Sequence, residues 1–111
     1  MGAEGMRYFD CSGLVYRVYQ QAGLLGKIGS GRKVAAGYYR WFQQRGLTST
    51  QNPQVGDLVW WTTRGRISHM GLYVGDGQAV SALVNPYGVR IHGLRSISVK
   101  FLAFGRVRLA D

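Results

Sequence analysis

An α+β fold is predicted, with N-terminal helices packed on a small antiparallel five-stranded sheet or half-barrel. Three observations predict it. Apolar residues recur at three-to-four spacing in the first 44 residues. Short runs rich in β-branched and aromatic residues fill the remainder. Glycine-bearing turns separate these runs closely enough to pair them as antiparallel neighbours.

The first helix is predicted over residues 12–22. Leu14, Val15, Val18, Tyr19 and Ala22 form its apolar face, Asp10 precedes it as an N-cap, and Gly23 ends it. A glycine-rich loop over residues 26–31 leads to a second helix over 33–44, where Val34, Ala35, Tyr38, Trp41 and Phe42 share a face. The polar stretch 48–53 marks the change to strands, which are expected over 57–61, 68–74, 78–84, 89–94 and 101–109. Gly75, Asp76 and Gly77 close one hairpin, and residues 85–88 close the next.

With 111 residues the chain fits a single domain over 1–111, and 46% hydrophobic residues are enough for a real core. Its one cysteine excludes an internal disulfide and a cysteine-rich zinc cage. No apolar run approaches the ~20 residues of a membrane span, and the first residues lack the apolar region of a secretory signal. Fourteen Lys and Arg against five Asp and Glu give a net charge of +9, which predicts an anionic partner. Nucleic acid, anionic lipid and cell-wall polymers all qualify. The basic residues are scattered rather than blocked, which argues against a nucleic-acid arm.

Cys11 opens the first helix directly after Asp10. A helix N-terminus stabilises a thiolate and lowers its pKa from ~8.5, so Cys11 is a candidate nucleophile. The competing account is a small buried hydrophobe. His69 is a candidate base. Alternation puts it on one strand face with Gly71 and Tyr73, while Met70, Leu72 and Val74 take the other. Gly71 leaves open space beside it, although an edge histidine beside a structural glycine would look the same. The turn at 85–88 sets Ser81 opposite His92, and the turn at 75–77 sets Val74 opposite Gln78 and hence Gly71 opposite Ser81. His92 is thereby expected to reach across Ser81 and Gly71 to orient His69 as the third member of a triad.

These segments resemble the NlpC/P60 family of cysteine peptidases. Phe9-Asp10-Cys11-Ser12-Gly13-Leu14-Val15 matches its nucleophile motif, and Gly56-Asp57-Leu58 resembles the strand before its histidine. Ser68-His69-Met70-Gly71-Leu72-Tyr73-Val74 matches the histidine strand, and residues 101–107 resemble the closing strand. The resemblance runs from Phe9 through nearly all of the chain and implies a papain-like fold. It also implies hydrolysis of amide bonds in peptidoglycan stem peptides, often between γ-D-glutamyl and a diamino acid. Cys11 would be the nucleophile and His69 the base, with Asp10 and Ser12 holding the substrate's peptide end. No metal or other cofactor is implied.

Two departures from the family pattern stand out. Its third polar residue falls about twelve positions beyond the histidine, where this chain has Ser81. Serine orients an imidazole poorly, so His92 is preferred as the third member and Ser81 is left to the substrate pocket. Family members also carry a helix and a Tyr-x-x-Gly-Gly segment before the nucleophile, of which Gly2 is the only trace here. The resemblance therefore implies a domain cut from a longer polypeptide, or a shortened version, working outside the cell at the wall or on a phage virion. Peptidoglycan peptides and the anionic wall are the expected partners, with no nucleic acid and no membrane span. The rival from another class is a non-catalytic module of the same fold that binds wall peptide or another polyanion through charge and through Trp60, Trp61 and Tyr87. A third reading is a nucleic-acid-binding half-barrel with a basic, aromatic surface.

Overall fold

The structure, a computed structural model, describes residues 11–83 and 88–108. Helix α1 spans Cys11–Gln21, a 3₁₀ turn covers Leu25–Ile28, and α2 spans Ala35–Gln44. Six strands follow among the described residues: β1 Thr48–Ser49, β2 Leu58–Thr63, β3 Arg66–Gly75, β4 Gln78–Leu83, β5 Gly88–Gly93 and β6 Lys100–Gly105. They form one open antiparallel sheet in the order β1-β6-β2-β3-β4-β5. Helices on an antiparallel sheet were expected; the sixth strand was not. Two residues are too few to carry a period-2 signal, so β1 shows only through its pairing with β6. The N-cap reading of Asp10 lies outside the described residues.

Alternation along β2 builds a core on each face of the sheet. Leu58 and Trp60 join Val15, Tyr19, Tyr38, Phe42, Met70 and Leu72 under the helices. Val59 and Trp61 join Ala79 and Phe104 on the other side. Trp60 donates its Nε1–H to the Ala35 carbonyl at 3.0 Å, which pins the start of α2 to the sheet. Edge contacts of Tyr39 and Phe42 on the Trp60 ring, with centroids 5.2 and 5.5 Å away, contribute about 1 kcal/mol each. The apolar faces differ in detail from expectation. Val34 is 68% exposed because α2 begins at Ala35, two residues later than expected, and Val18 is 40% exposed on the outer flank of α1.

The Gly56-Asp57-Leu58 segment is a structural clamp. Asp57, only 1% exposed, accepts the Gln54 N–H at 2.9 Å and the Val107 N–H at 3.2 Å, with the Arg106 guanidinium 3.5 Å away. Its own carbonyl accepts the Tyr73 N–H at 2.8 Å. One carboxylate thus ties the entry of β2 to the exit of β6. Asp57→Asn is expected to lower stability by about 2 kcal/mol, read as a lower urea midpoint at unchanged m, because a charged acceptor inside a buried group is lost.

The two hairpins differ in how they keep the expected register. Leu72↔Val80 and Tyr73↔Ala79 pair as the turn predicts. At the turn itself Gln78 pairs with Gly75 rather than Val74, because a bulge intervenes. Gly75, Asp76 and Gly77 have φ of 100°, 55° and 74°, a left-handed run that makes room for the extra residue. Between β4 and β5 the pairing is Leu83↔Gly88, Ser81↔Arg90 and Ala79↔His92, so Ser81 does not sit opposite His92. Gly88 already belongs to β5, which moves every partner by two residues from expectation. An even shift preserves the face, so His92 remains on the side of Ser81.

Candidate active site

Cys11 lies where α1 begins, half-buried, and packs against the helix-side core. Helix α1 lies on β3 and β4, the strands that carry His69 and Ser81. Ile67 and Met70 belong to the core region that Cys11 joins, whereas His69 lies against Trp61 on the other face of the sheet. The positive end of α1 favours a thiolate at this position. Ser12 is 6% exposed, which leaves a small edge for any substrate contact. Asp10 lies outside the described residues.

His69, Ser81 and His92 form one hydrogen-bonded group. His69 Nε2 is 2.9 Å from Ser81 Oγ, and Ser81 Oγ is 2.5 Å from His92 Nε2. His92 Nδ1 is 2.9 Å from the Gly93 carbonyl oxygen. Two expectations are corrected here. His92 does not contact His69 as its orienting partner, since the serine hydroxyl stands between them. Ser81 was expected in the substrate pocket; it is 0% exposed, its hydroxyl contacts two imidazoles, and it is absent from the lining of the cleft beside them. The two-residue offset explains both, because His92 approaches Ser81 diagonally rather than from directly across.

Trp61 is the site residue that motif reading overlooked. Its ring lies 5.2 Å from His69 and 5.5 Å from His92 by centroid, and its Nε1–H donates to the Leu94 carbonyl at 2.7 Å. The signal was present, since Trp61 falls opposite His69 once β2 and β3 are paired. Trp60 and Trp61 are both 0% exposed, so neither can serve as a surface platform for binding a polymer. Tyr87 lies outside the described residues. Beside the imidazoles opens a cleft of about 830 Å³, with Ser68, Arg90, Ile91, Ser96 and Val99 among its walls and His69 and His92 on its lining.

Burial, followed by the neighbouring His92, pushes the His69 pKa down from 6.5 to about 4. His69 is therefore neutral at pH 7, as a proton acceptor must be. The unfolded chain takes up this proton near 6.5 while the folded chain resists it down to about 4. Stability is thus retained above pH 6.5 and lost progressively as pH falls from there toward 4. Urea midpoints measured from pH 7.5 to 4.5 are expected to fall in that window, and His69→Gln should flatten the decline.

The match to the NlpC/P60 family covers residues 1–104. This chain belongs to the NlpC/P60 family. Among its NlpC/P60 relatives, the probable endopeptidase p60 of Listeria monocytogenes is 37% identical over 110 residues, which is 96% of this chain and 20% of that protein. The protein of the same description from Listeria grayi is 34% identical over 107 residues, 96% of this chain and 19% of its own length. The chain thus spans about a fifth of these relatives. The NlpC/p60 domain of the peptidoglycan hydrolase SagA superposes with a TM-score of 0.61 at 26% identity, covering 87% of this chain and 76% of that one. An NlpC/P60 protein from Bacillus cereus superposes at 0.67 with 24% identity, over 89% and 32% of the two chains, and shares the fold.

Proposed function

We propose that the domain is a cysteine peptidase that hydrolyses amide bonds in peptidoglycan stem peptides, with the γ-D-glutamyl–diamino acid bond as its substrate bond. The observation that carries this reading is the part-buried hydrogen bond between His69 and Ser81 beside the cleft, on strands whose other face bears the helix that Cys11 opens. In the proposed reaction the Cys11 thiol gives its proton to His69 and its sulfur attacks the amide carbonyl carbon. The C–N bond then breaks as His69 returns the proton to the leaving amine, leaving a thioester on Cys11. Water, deprotonated by His69, attacks the thioester and releases the acid and the thiol. Asp10 and Ser12 are assigned to the peptide end of the substrate.

The cleft beside His69 suits the leaving half of the peptide, because the imidazole that protonates an amine must stand next to it. Its described walls carry Arg90 and no carboxylate, which suits a leaving residue with a free carboxyl group. The net charge of +9 favours approach to an anionic wall, and such a substrate places the working protein outside the cytoplasm. The experiment that tests this is mass spectrometry of defined muropeptides digested by the domain. Fragments parted at the γ-D-glutamyl bond support the assignment. Intact muropeptides, with the domain still adsorbed to the wall, would replace it with the binding-module reading.

A further inference from the structure

We propose that His92 is a positioning residue that sets the tautomer of His69 through the Ser81 hydroxyl. This inference rests on the Cys11–His69 pairing proposed above and deepens it.

The direction of the chain follows from its anchored end. The Gly93 oxygen is a carbonyl and can only accept, so His92 Nδ1 carries the hydrogen of that 2.9 Å contact. A neutral His92 then presents a bare Nε2. Ser81 must donate its hydroxyl hydrogen to that nitrogen across 2.5 Å. The Ser81 oxygen has only lone pairs left, so His69 Nε2 must be the donor across the remaining 2.9 Å. Neutral His69 therefore holds its lone pair on Nδ1, the atom left to take the thiol proton.

Ser81 alone could not enforce this. A hydroxyl turns freely and would donate to His69 as readily as accept from it, which leaves both tautomers populated. The carbonyl at the far end removes that freedom, because each link fixes the next. Full burial of Ser81 keeps water from offering a substitute partner, and Trp61 holds both ring planes. The same chain reads the charge on His92. A protonated His92 donates from both nitrogens, turns the Ser81 hydroxyl toward His69 Nε2, and moves the His69 hydrogen to Nδ1, where the base is lost. Among the described residues, the charged or titratable groups on the cleft around His92 are His69 of β3 and Arg90 of its own strand; the loop over 96–99 contributes serines and aliphatic residues, and β4 contributes Ser81.

The test combines imidazole nitrogen NMR with kinetics on the whole chain. In the wild type at pH 7, long-range nitrogen–proton spectra are expected to show His69 protonated on Nε2 alone. Ser81→Ala and His92→Phe should each give a mixture of tautomers and lower kcat on the order of 10²-fold, with KM within about twofold. The double variant should be no worse than either single one, since both cut one chain. His92→Gln, whose side-chain carbonyl can accept the Ser81 hydroxyl, should recover most of the loss. A wild-type His69 protonated on Nδ1, or a tautomer unchanged in the variants, would overturn the inference. Should His92→Phe not fold, Ser81→Ala carries the same test from the middle of the chain. The NMR reads the tautomer with no substrate present, so loss of the peptidase reading and loss of this one are separate outcomes.

Discussion

Cys11→Ala is expected to abolish release of new amino groups from purified peptidoglycan, a fall in kcat of about 10⁴-fold or more. The thiol is the chain's one sulfhydryl, and both halves of the proposed reaction pass through a bond to its sulfur. A serine or water in its place lacks the accessible anion that the positive end of α1 favours at this position. Stability should change by less than about 1 kcal/mol, since Cys11 is half-buried and alanine suits a helix start. Amine-reactive labelling of the wall after digestion gives the readout, and the thermal midpoint gives the control. Equal digestion by wild type and variant would remove Cys11 from the chemistry.

Gly71→Ala is expected to cost about 3 kcal/mol of stability and most of the activity. A Cβ built on Gly71 would stand 2.5 Å from the Val80 carbonyl oxygen and 2.8 Å from Ser81 Cβ. The first contact is with backbone, which cannot turn aside as a side chain would. Relief requires β3 and β4 to separate, and their separation lengthens the bond from His69 to Ser81. The thermal midpoint should drop on the order of 15 °C. Activity measured well below that midpoint should still be impaired, which distinguishes a displaced hydroxyl from simple unfolding. An alanine variant with wild-type stability and turnover would mean that the two strands have slack at this point.

Much of this was written locally in the sequence. The cap-and-breaker punctuation places both helices within two residues, and alternation in β2 and β3 separates Trp60, Met70 and Leu72 from Trp61, His69 and Tyr73. The shared face of His69, Ser81 and His92 was also legible, because face depends only on the parity of the register. The order of contacts was not. Parity cannot distinguish a partner directly opposite from one two residues along, and that difference decides whether His92 touches His69 or Ser81. Ser81 looked too weak to orient an imidazole because a serine was weighed by itself, whereas its donor direction comes from a histidine on the next strand. Asp57 matched a motif whose physical reason appears only in three dimensions, where its oxygens meet a loop N–H and a strand-end N–H fifty residues apart from it on one side.

The indole wedged against both imidazoles has an optical consequence. Imidazolium quenches indole emission on contact, whereas neutral imidazole does so far less, so Trp61 is a built-in fluorimeter for the charge of its two neighbours. Subtracting the emission of a Trp61→Phe chain isolates that signal from Trp41 and Trp60, and a stopped-flow pH jump would then time proton arrival in the dark interior of the sheet without any added dye.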